Sequence, residues 1–330
     1  MRTIFPLLIG LAAAYAWFTA ALLVVGIVSG IEDGPLAIVQ ILTPHLALAA
    51  LVLVPLAALG SSRALRFGVI ATLVLFAARF GGEWWSTSPT MDGGTELQVA
   101  TWNLEVGART AAATVALLRE HPADLVALQE LTPQVASAIE ADAALIDRYP
   151  YRALELGPGV TGVGLLSRLR ITAGPLATNP VRQEARVSSP AGELVVINAH
   201  PFPADAGLFA SVPLRFDPSV RNTYLQLLRD RVAELEAAGE DVLLIGDFNA
   251  APTEPAFRRL TAGLHDAHAE VGLGPGWTWR PGRFAFLGIG LLRIDLVLST
   301  GNLEPIGTQV ACPARGDHCL LQARLRIDAP

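Results

Sequence analysis

Residues 241–249 read Asp-Val-Leu-Leu-Ile-Gly-Asp-Phe-Asn, an apolar run followed by polar residues. The run at 242–245 is typical of a β-strand that is buried on both faces. Gly246, Asp247 and Asn249 are also common in turns, so the segment taken alone fits the plain end of a strand. It gains weight because similar segments occur elsewhere in the chain.

Five further short motifs carry polar groups in comparable settings. They are Thr101-Trp102-Asn103-Leu104-Glu105, Leu128-Gln129-Glu130, Asn198-Ala199-His200, Arg293-Ile294-Asp295 and Gly316-Asp317-His318. Four of the six motifs follow or lie inside an apolar, β-branched run, so their polar ends should gather at one rim of a sheet. Together they hold the groups that metal-dependent phosphoryl transfer requires: carboxylates, amides and histidines.

In kind and in order, these motifs resemble those of the endonuclease/exonuclease/phosphatase superfamily, the deoxyribonuclease I-like phosphodiesterases. The resemblance covers roughly residues 96–327 and does not extend to the first ninety residues. It implies an α/β fold of two mixed sheets packed face to face between outer helices, with the site at the edge of the sandwich. It also implies a metal-dependent hydrolase of phosphate ester bonds, active as a phosphodiesterase, phosphatase or nuclease.

The resemblance implies a metal-binding role for three residues. Glu130 would be the main ligand of Mg²⁺ or Mn²⁺, with Asn103 and Glu105 completing or supporting the shell. Oxygen ligands of this kind suit either ion. Without the other motifs, Glu130 would fit equally well as an acidic residue ahead of a helix that begins near Thr132 and Pro133.

It implies acid–base and phosphate-binding roles for another set. Asp247 would position or deprotonate the attacking water, Asn249 would hold a phosphate oxygen, and His200 would donate to the scissile phosphate. Arg221 matches a position where many relatives carry arginine and would support that end of the site.

His318 is the histidine expected to face the phosphate. Asp317 precedes it, and Asp295 would accept a hydrogen bond from its ring and fix the tautomer. Gly316 stands where family members commonly have serine, a change that removes a hydroxyl without altering the chemistry. The sequence leaves open whether His318 or Asp247 is the formal base.

Apolar runs and helical segments alternate after residue 95, which indicates an α/β domain. The predicted strands are 96–102, 124–129, 162–168, 193–199, 241–246, 293–299 and 320–326, and the predicted helices are 109–120, 133–146 and 219–238. An apolar segment at 284–292 precedes Asp295 and fits either a core strand or a lipid contact.

The first eighty residues are apolar stretches at 4–30, 35–60 and 64–80, and we expect three transmembrane helices that anchor the chain in a lipid bilayer. A cleaved signal peptide is the alternative for the first, but its apolar run is longer than that of a typical signal peptide. His45 falls inside the second stretch, either as a functional group or, more simply, as a neutral imidazole bonded to a neighbouring helix.

Arginines precede the first stretch and lie between the second and third, whereas Glu32 and Asp33 lie between the first and second. The positive-inside rule then places the N-terminus in the cytoplasm and the end of the third helix outside. Trp84 and Trp85 suit the aromatic belt at that outer interface. We therefore expect a membrane domain at 1–80, a linker at 81–95 and an extracytoplasmic catalytic domain at 96–330.

From residue 91 onward, 20 arginines stand against 27 acidic residues, a net charge of about −7. Duplex DNA binders usually have a basic footprint, so duplex DNA is not the favoured partner. Nuclease, lipid and small-molecule phosphoesterase activities all remain possible. A sensor protein that has lost activity is less favoured, because such proteins usually lack at least one acid–base residue.

The chain has two cysteines, Cys312 and Cys319, which flank Asp317 and His318. In an oxidising compartment they would close a small loop that steadies the histidine, and this is the favoured interpretation. Two free thiols are the alternative.

Overall fold

The computed structural model describes residues 4–85, 93–173, 182–189, 191–209 and 212–327. Its helices are α1 Ile4–Val28, α2 Gly34–Ile41, α3 Thr43–Ala49, α4 Val54–Leu59, α5 Arg63–Trp84, α6 Ala111–Glu120, α7 Pro133–Ala141, α8 Ala143–Arg148, α9 Ser219–Ala237, α10 Pro255–Thr261 and α11 Ala267–Val271. Short 3₁₀ helices span Ala50–Leu53 and Gly282–Leu287. Its strands are β1 Thr95–Asn103, β2 Leu125–Gln129, β3 Tyr151–Glu155, β4 Val163–Ser167, β5 Ile171–Ala173, β6 Arg182–Ser189, β7 Gly192–Ala199, β8 Asp205–Phe209, β9 Val212–Asp217, β10 Asp241–Asp247, β11 His265–Asp266, β12 Asp295–Ser299, β13 Leu303–Ala311 and β14 Leu320–Ile327.

The chain forms two compact units. The first contains Met1–Gly82, Ala204–Pro218 and Pro252–Pro255, and the second contains Glu83–Pro203, Ser219–Ala251 and Ala256–Pro330. After the N-terminal helices, the chain therefore returns to the first unit twice, at Ala204–Pro218 and at Pro252–Pro255.

The second unit is built on two six-stranded sheets, in the orders β13-β14-β1-β2-β4-β3 and β11-β12-β10-β7-β6-β5. The pairs β1–β2 and β7–β10 are parallel and the other pairs are antiparallel, so both sheets are mixed. Inward side chains of both sheets form one core, which includes Leu97, Val99, Leu125, Leu165, Val196, Leu243, Ile245, Val297 and Leu325. The expected two-sheet α/β sandwich is confirmed.

Helices cover the two outer faces of the sandwich. Side chains of α6, α7 and α8 pack on the outer face of the first sheet, and those of α9 and α10 pack on the outer face of the second. The predicted helix 133–146 is in fact two helices, because Asp142 ends one and caps the next by accepting a hydrogen bond from the Leu145 amide. All seven predicted strands are present within two residues at either end, whereas the other seven, β3, β5, β6, β8, β9, β11 and β13, were not predicted.

The N-terminal part of the chain contains two continuous helices that are long and apolar enough to cross a membrane, Phe5–Val28 and Arg63–Trp84. The predicted second span is broken into α2, α3, a 3₁₀ turn and α4, with a bend of 51° between Gly34–Ile41 and Thr43–Leu59. A proline stands at the first turn of α2, α3 and α4, where it starts a helix but cannot continue the preceding one. The structure therefore has two continuous candidate spans, and the predicted span at 35–60 is a third only if the bent pair is one span.

Hydrogen bonds tie these helices together within the first unit. Thr72 Oγ1 donates to the Ala16 carbonyl at 2.8 Å, and Gln40 Nε2 donates to the Leu22 carbonyl at 3.1 Å. Helix α5 continues to Trp84, so the predicted linker at 81–95 begins with four helical residues. Residues 86–92 of that linker lie outside the described part of the chain.

Candidate active site

The polar motifs meet at one rim of the sandwich because of strand register. Asn103 pairs with Gln129 in the first sheet, and Gly246 pairs with Ala199 in the second. Asp247 lies opposite Asp295 in the antiparallel pair β10–β12. The ends of β1, β2, β7 and β10 and the start of β12 therefore share one edge, as the sequence predicted.

Strand alternation directs the polar side chains into the space between the sheets. In β10, Leu243 and Ile245 belong to the central core, so Asp247, two residues on, faces the same way. In β1, Val99 also belongs to the central core, and Asn103, four residues later, faces the same way. The site is thus the polar end of the core between the sheets.

Asn103 joins the two sheets at this point. Its Nδ2 donates to Asp247 Oδ2 at 2.9 Å and to Glu130 Oε1 at 3.2 Å. Its Oδ1 accepts from the backbone amide of Glu105 at 3.0 Å. In this arrangement the amide organises two carboxylates, and its oxygen is turned towards the backbone.

Three residues after strand ends have a left-handed backbone. They are Glu105 (φ 51°), Glu130 (φ 54°) and Asn249 (φ 52°), and no other non-glycine residue in the described ranges has a positive φ. This region disfavours residues with a Cβ, and such strain concentrates at functional sites. All three belong to the motifs predicted to form the site.

Gly246 allows the second sheet to close tightly beneath the site. Its φ is 146°, and a Cβ there would lie 2.0 Å from the Ala199 carbonyl oxygen. Only glycine fits this contact, which brings Asp247 beside the residue that follows Ala199, His200.

Buried side-chain amides form a hydrogen-bond network directly behind the site. No role was predicted for them from the sequence. Gln129 Nε2 donates to Asn198 Oδ1 at 2.7 Å, and Asn198 Nδ2 donates to the Leu128 carbonyl at 3.1 Å. Gln129 precedes Glu130, and Asn198 stands two residues before His200. The signal in the sequence was a polar residue inside each of two otherwise apolar strands.

His318 lies between two buried carboxylates. Its Nδ1 is 2.9 Å from Asp295 Oδ2, and its Nε2 is 3.5 Å from Asp247 Oδ2. Burial disfavours the charged imidazole, but Asp295 and Asp247 outweigh burial and raise the pKa of His318 to about 10. Burial also raises the pKa of Asp247, with His318 opposing that rise.

Asp317 holds the loop that presents His318. Its backbone amide donates to Glu105 Oε2 at 2.7 Å, and its Oδ2 accepts from Trp279 Nε1 at 3.3 Å. Burial raises the pKa of Asp317 to about 6. These contacts join the first motif of the chain to the last.

The loop before His318 is closed by a disulfide between Cys312 and Cys319, as favoured from the sequence. Arg280, which is fully buried, donates to the Pro313 carbonyl at 2.6 Å, and Arg109 donates to the Arg315 carbonyl. Neither arginine was predicted to hold this loop, because no local pattern connects residue 109 or 280 with residues 312–319.

His200 and Asn249 face the cluster from the second sheet. His200 Nε2 is 3.7 Å from Asp247 Oδ2 and 3.8 Å from Glu130 Oε1. The Asn249 backbone amide donates to Asp247 Oδ1 at 2.9 Å, and Arg221 donates to the Asn249 backbone carbonyl at 2.5 Å. Arg221 thus fixes the backbone that carries Asn249.

Comparisons with known proteins agree with this geometry. The sequence model of the Endonuclease/Exonuclease/phosphatase family matches residues 100–318. The chain belongs to this family. A search of curated protein sequences gives no match.

Solved structures of the family share the fold. TDP2 from D. rerio, solved with a single-stranded DNA product, has a TM-score of 0.55 and 17% identity, covering 70% of this chain and 99% of that one. An endonuclease/exonuclease/phosphatase family protein from Bacteroides thetaiotaomicron has a TM-score of 0.55 and 16% identity, covering 72% and 97%. A relative from Beutenbergia cavernae has a TM-score of 0.51 and 22% identity, covering 71% and 72%.

Enzymes of this family are typically hydrolases of phosphate esters and commonly use divalent metal ions. Glu130 fits such an ion, because its carboxylate is part-exposed at the rim and Asn103 and the Val106 amide each donate to one of its oxygens. A hard cation prefers oxygen donors of this kind.

A second group also has the dimensions of a metal site. Ligand atoms of Asp247, Asp295 and His318 lie within 4.8 Å of one another. The same contacts hold a histidine between two carboxylates, the arrangement that the family resemblance implies for acid–base chemistry. Both imidazole nitrogens of His318 are directed to a carboxylate, which favours that interpretation.

Proposed function

We propose that this chain is a membrane-anchored, extracytoplasmic, Mg²⁺-dependent phosphoesterase that acts by in-line attack of an activated water. The observation that carries the proposal is the single cluster formed by Asn103, Glu130, His200, Asp247 and His318. Five separate strand ends and loops contribute these groups, and hydrogen bonds or close contacts join each one to another.

Glu130 would hold the metal ion, with Asn103 and Glu105 completing or supporting the shell. Mg²⁺, or Mn²⁺, would supply Lewis-acid stabilisation of the charge that develops on the phosphate. Asn103 orients the Glu130 carboxylate, and Glu105 anchors the loop of Asp317.

Asp247 and His318 would form the acid–base pair, since 3.5 Å separates their facing atoms. Asp295 holds the opposite nitrogen of His318 and so directs Nε2 towards the cluster. In this role Asp247 positions and deprotonates the attacking water, and His318 moves a proton at Nε2.

His200 and Asn249 would hold the non-bridging phosphate oxygens. Both border Asp247, so a phosphate bound to them lies beside the water that Asp247 positions. Preorganised donors of this kind stabilise developing charge in a water-poor site. Every acid–base residue of the family pattern is present, which argues against an inactive sensor.

Anchoring and orientation rest on the N-terminal helices. Three crossings, with the bent pair Gly34–Leu59 as one broken span, place the catalytic unit outside when the N-terminus is inside. Arg63 and Arg66, between the second and third spans, support this orientation because positive residues stay cytoplasmic.

A membrane-anchored Mg²⁺-dependent nuclease is the second candidate. The TDP2 structure with a single-stranded DNA product favours it by analogy of fold. The net charge of about −7 from residue 91 onward argues against duplex DNA, because a polyanion is repelled by an acidic domain. We therefore favour a phosphate ester presented at or near the membrane.

The test uses the purified full-length protein in detergent. We expect hydrolysis of bis(4-nitrophenyl) phosphate or of 4-nitrophenyl phosphate that EDTA abolishes and added Mg²⁺ or Mn²⁺ restores. Absence of hydrolysis of both compounds with either ion would refute the phosphoesterase. Efficient, strongly salt-sensitive cleavage of plasmid DNA would favour the nuclease instead.

A further inference from the structure

The segment 281–290 forms an exposed apolar turn at the rim of the candidate site. Its 3₁₀ helix Gly282–Leu287 leads into residues 288–290, and Phe286, Leu287 and Ile289 are exposed, Phe286 to 77%. The segment is therefore not the buried core strand that its composition also fitted. Single exposed apolar residues are ordinary, but a run of them is typical of an interaction surface.

The base of this turn is fixed to the site. The Arg280 backbone amide donates to the Asp317 carbonyl at 2.9 Å, and Arg280 NH1 donates to the Ile289 carbonyl at 3.3 Å. A Cβ at Gly282 would lie 3.9 Å from Glu105 Oε1. The apolar turn thus borders the predicted metal end of the site.

A second exposed apolar group lies where helix α5 enters the same unit. Trp85 forms a β-bridge with Leu273, which is 82% exposed, and the Gly274 amide donates to the Trp84 carbonyl at 2.9 Å. Trp84 also packs edge-on against Trp277, with ring centroids 5.8 Å apart.

Trp277 connects the two exposed groups. A Cβ at Gly290 would lie 2.2 Å from the Trp277 carbonyl oxygen, so the end of the apolar turn packs directly on the residue that contacts Trp84. The Leu291 amide donates to the Trp279 carbonyl at 2.6 Å. The end of the turn and the end of α5 are therefore both in contact with Trp277.

We propose that Phe286, Leu287 and Ile289, together with Leu273 and Trp85, form a membrane-contact surface that rests on the lipid bilayer beside the candidate site. The bilayer is the fitting occupant because α5 is apolar enough to cross it and ends at the tryptophans of this surface.

The basic residue of the turn suits the same partner. Arg283 is exposed and stacks over the Phe284 ring at 5.0 Å from its centroid. An arginine beside exposed aromatic and aliphatic side chains matches the headgroup region, where apolar groups enter the interface and cations meet lipid phosphates. Resting on the proposed function, this surface makes a phosphate ester at headgroup depth the substrate class.

The test labels the full-length protein with the fluorophore NBD at Phe286→Cys, and separately at Leu273→Cys. Leu227→Cys is the control, because Leu227 is 51% exposed and apolar but lies on α9, which packs on the outer face of the second sheet and contributes no residue to the proposed surface. The native cysteines are paired and do not react without reductant. Each variant is reconstituted into phosphatidylcholine vesicles with and without doxyl-labelled phosphatidylcholine.

We expect blue-shifted emission at both surface positions and a loss of emission with the doxyl lipid, with neither change at residue 227. Emission at residue 286 that the doxyl lipid leaves unchanged would overturn the proposal, and a blue shift without quenching would point to a protein partner instead. The readout does not depend on turnover. Hydrolysis of soluble bis(4-nitrophenyl) phosphate by Phe286→Ser should equal that of the wild type, which separates failure of the surface from failure of the proposed function.

Discussion

The imidazole Nδ1 of His318 lies 2.9 Å from Asp295 Oδ2, and both side chains are buried. Asp295 occupies the first position of β12, directly opposite Asp247, so one strand pair places carboxylates on both sides of the ring. A histidine held in this way has one orientation, which directs its Nε2 towards Asp247 for proton transfer.

This pairing predicts the pH dependence of stability in the metal-free protein. The folded-state pKa of His318, about 10, lies above the ordinary value of about 6.5. The pairing should therefore stabilise the fold fully below pH about 6.5, and this contribution should disappear as the pH rises through about 10. Asp295→Asn should flatten that dependence. Thermal unfolding of the full-length protein in detergent with EDTA, from pH 6 to pH 10, measures it, and an equally steep loss in both proteins would contradict the assignment.

Metal binding through Glu130 predicts a shift in the Mg²⁺ requirement. Glu130→Gln keeps the shape of the side chain but removes the charge that binds the cation. We expect activity to need a higher Mg²⁺ concentration in this variant, measured by titrating Mg²⁺ into EDTA-treated protein. Glu120→Gln, an exposed change at the end of α6, is the matched control. Identical titration curves for all three proteins would remove Glu130 from the metal site.

The disulfide predicts a mass and a stability difference. Without reductant, the intact protein should be lighter than the reduced form by the two hydrogen atoms lost on oxidation. Replacing Cys312 and Cys319 by serine should lower the free energy of unfolding by about 2–4 kcal/mol. It should also lower turnover, because the loop carries His318. Thiol labelling of both cysteines in the unreduced native protein would show that they are not paired.

Topology follows from the number of crossings. Alkaline phosphatase fused after residue 90 should be active if the bent pair Gly34–Leu59 crosses the membrane as one span. If only α1 and α5 cross, the fusion point lies on the same side as the N-terminus. Activity from a cytoplasm-dependent reporter at that point, with an inactive phosphatase fusion, would then reverse the orientation proposed for the catalytic unit.

The strand ends that build the site could be predicted from the sequence because each depends on a local pattern. The apolar run 242–245 indicates a strand, and its period of two places Asp247 on the same face as Leu243 and Ile245. Six such motifs, in the order that the family has them, predicted the fold class and the residues that lie together at one rim of the sandwich. The hydrogen bond of Asn103 to Asp247 follows from that meeting but spans 144 residues, so no local pattern contains it.

Other features could not be predicted, because they depend on contacts between residues far apart in the sequence. The broken span at 34–59 keeps its apolar composition, and its prolines bend it without changing its hydropathy. Arg280 is fully buried under the 312–319 loop, a position that its charge argues against and that only its carbonyl and sulfur partners explain. The exposure of Phe286 could not be predicted either, because the apolar composition of its segment also fits a buried core strand.

The most direct test of the central claim is the turnover of His318→Ala on bis(4-nitrophenyl) phosphate with Mg²⁺. A positioned acid–base group contributes about 10²–10⁴-fold, so turnover should fall by that factor while the protein stays folded. His265→Ala, which removes a part-exposed histidine paired with Glu270 outside the site, should match the wild type. Near-normal turnover of His318→Ala would contradict the assignment of this cluster as the active site.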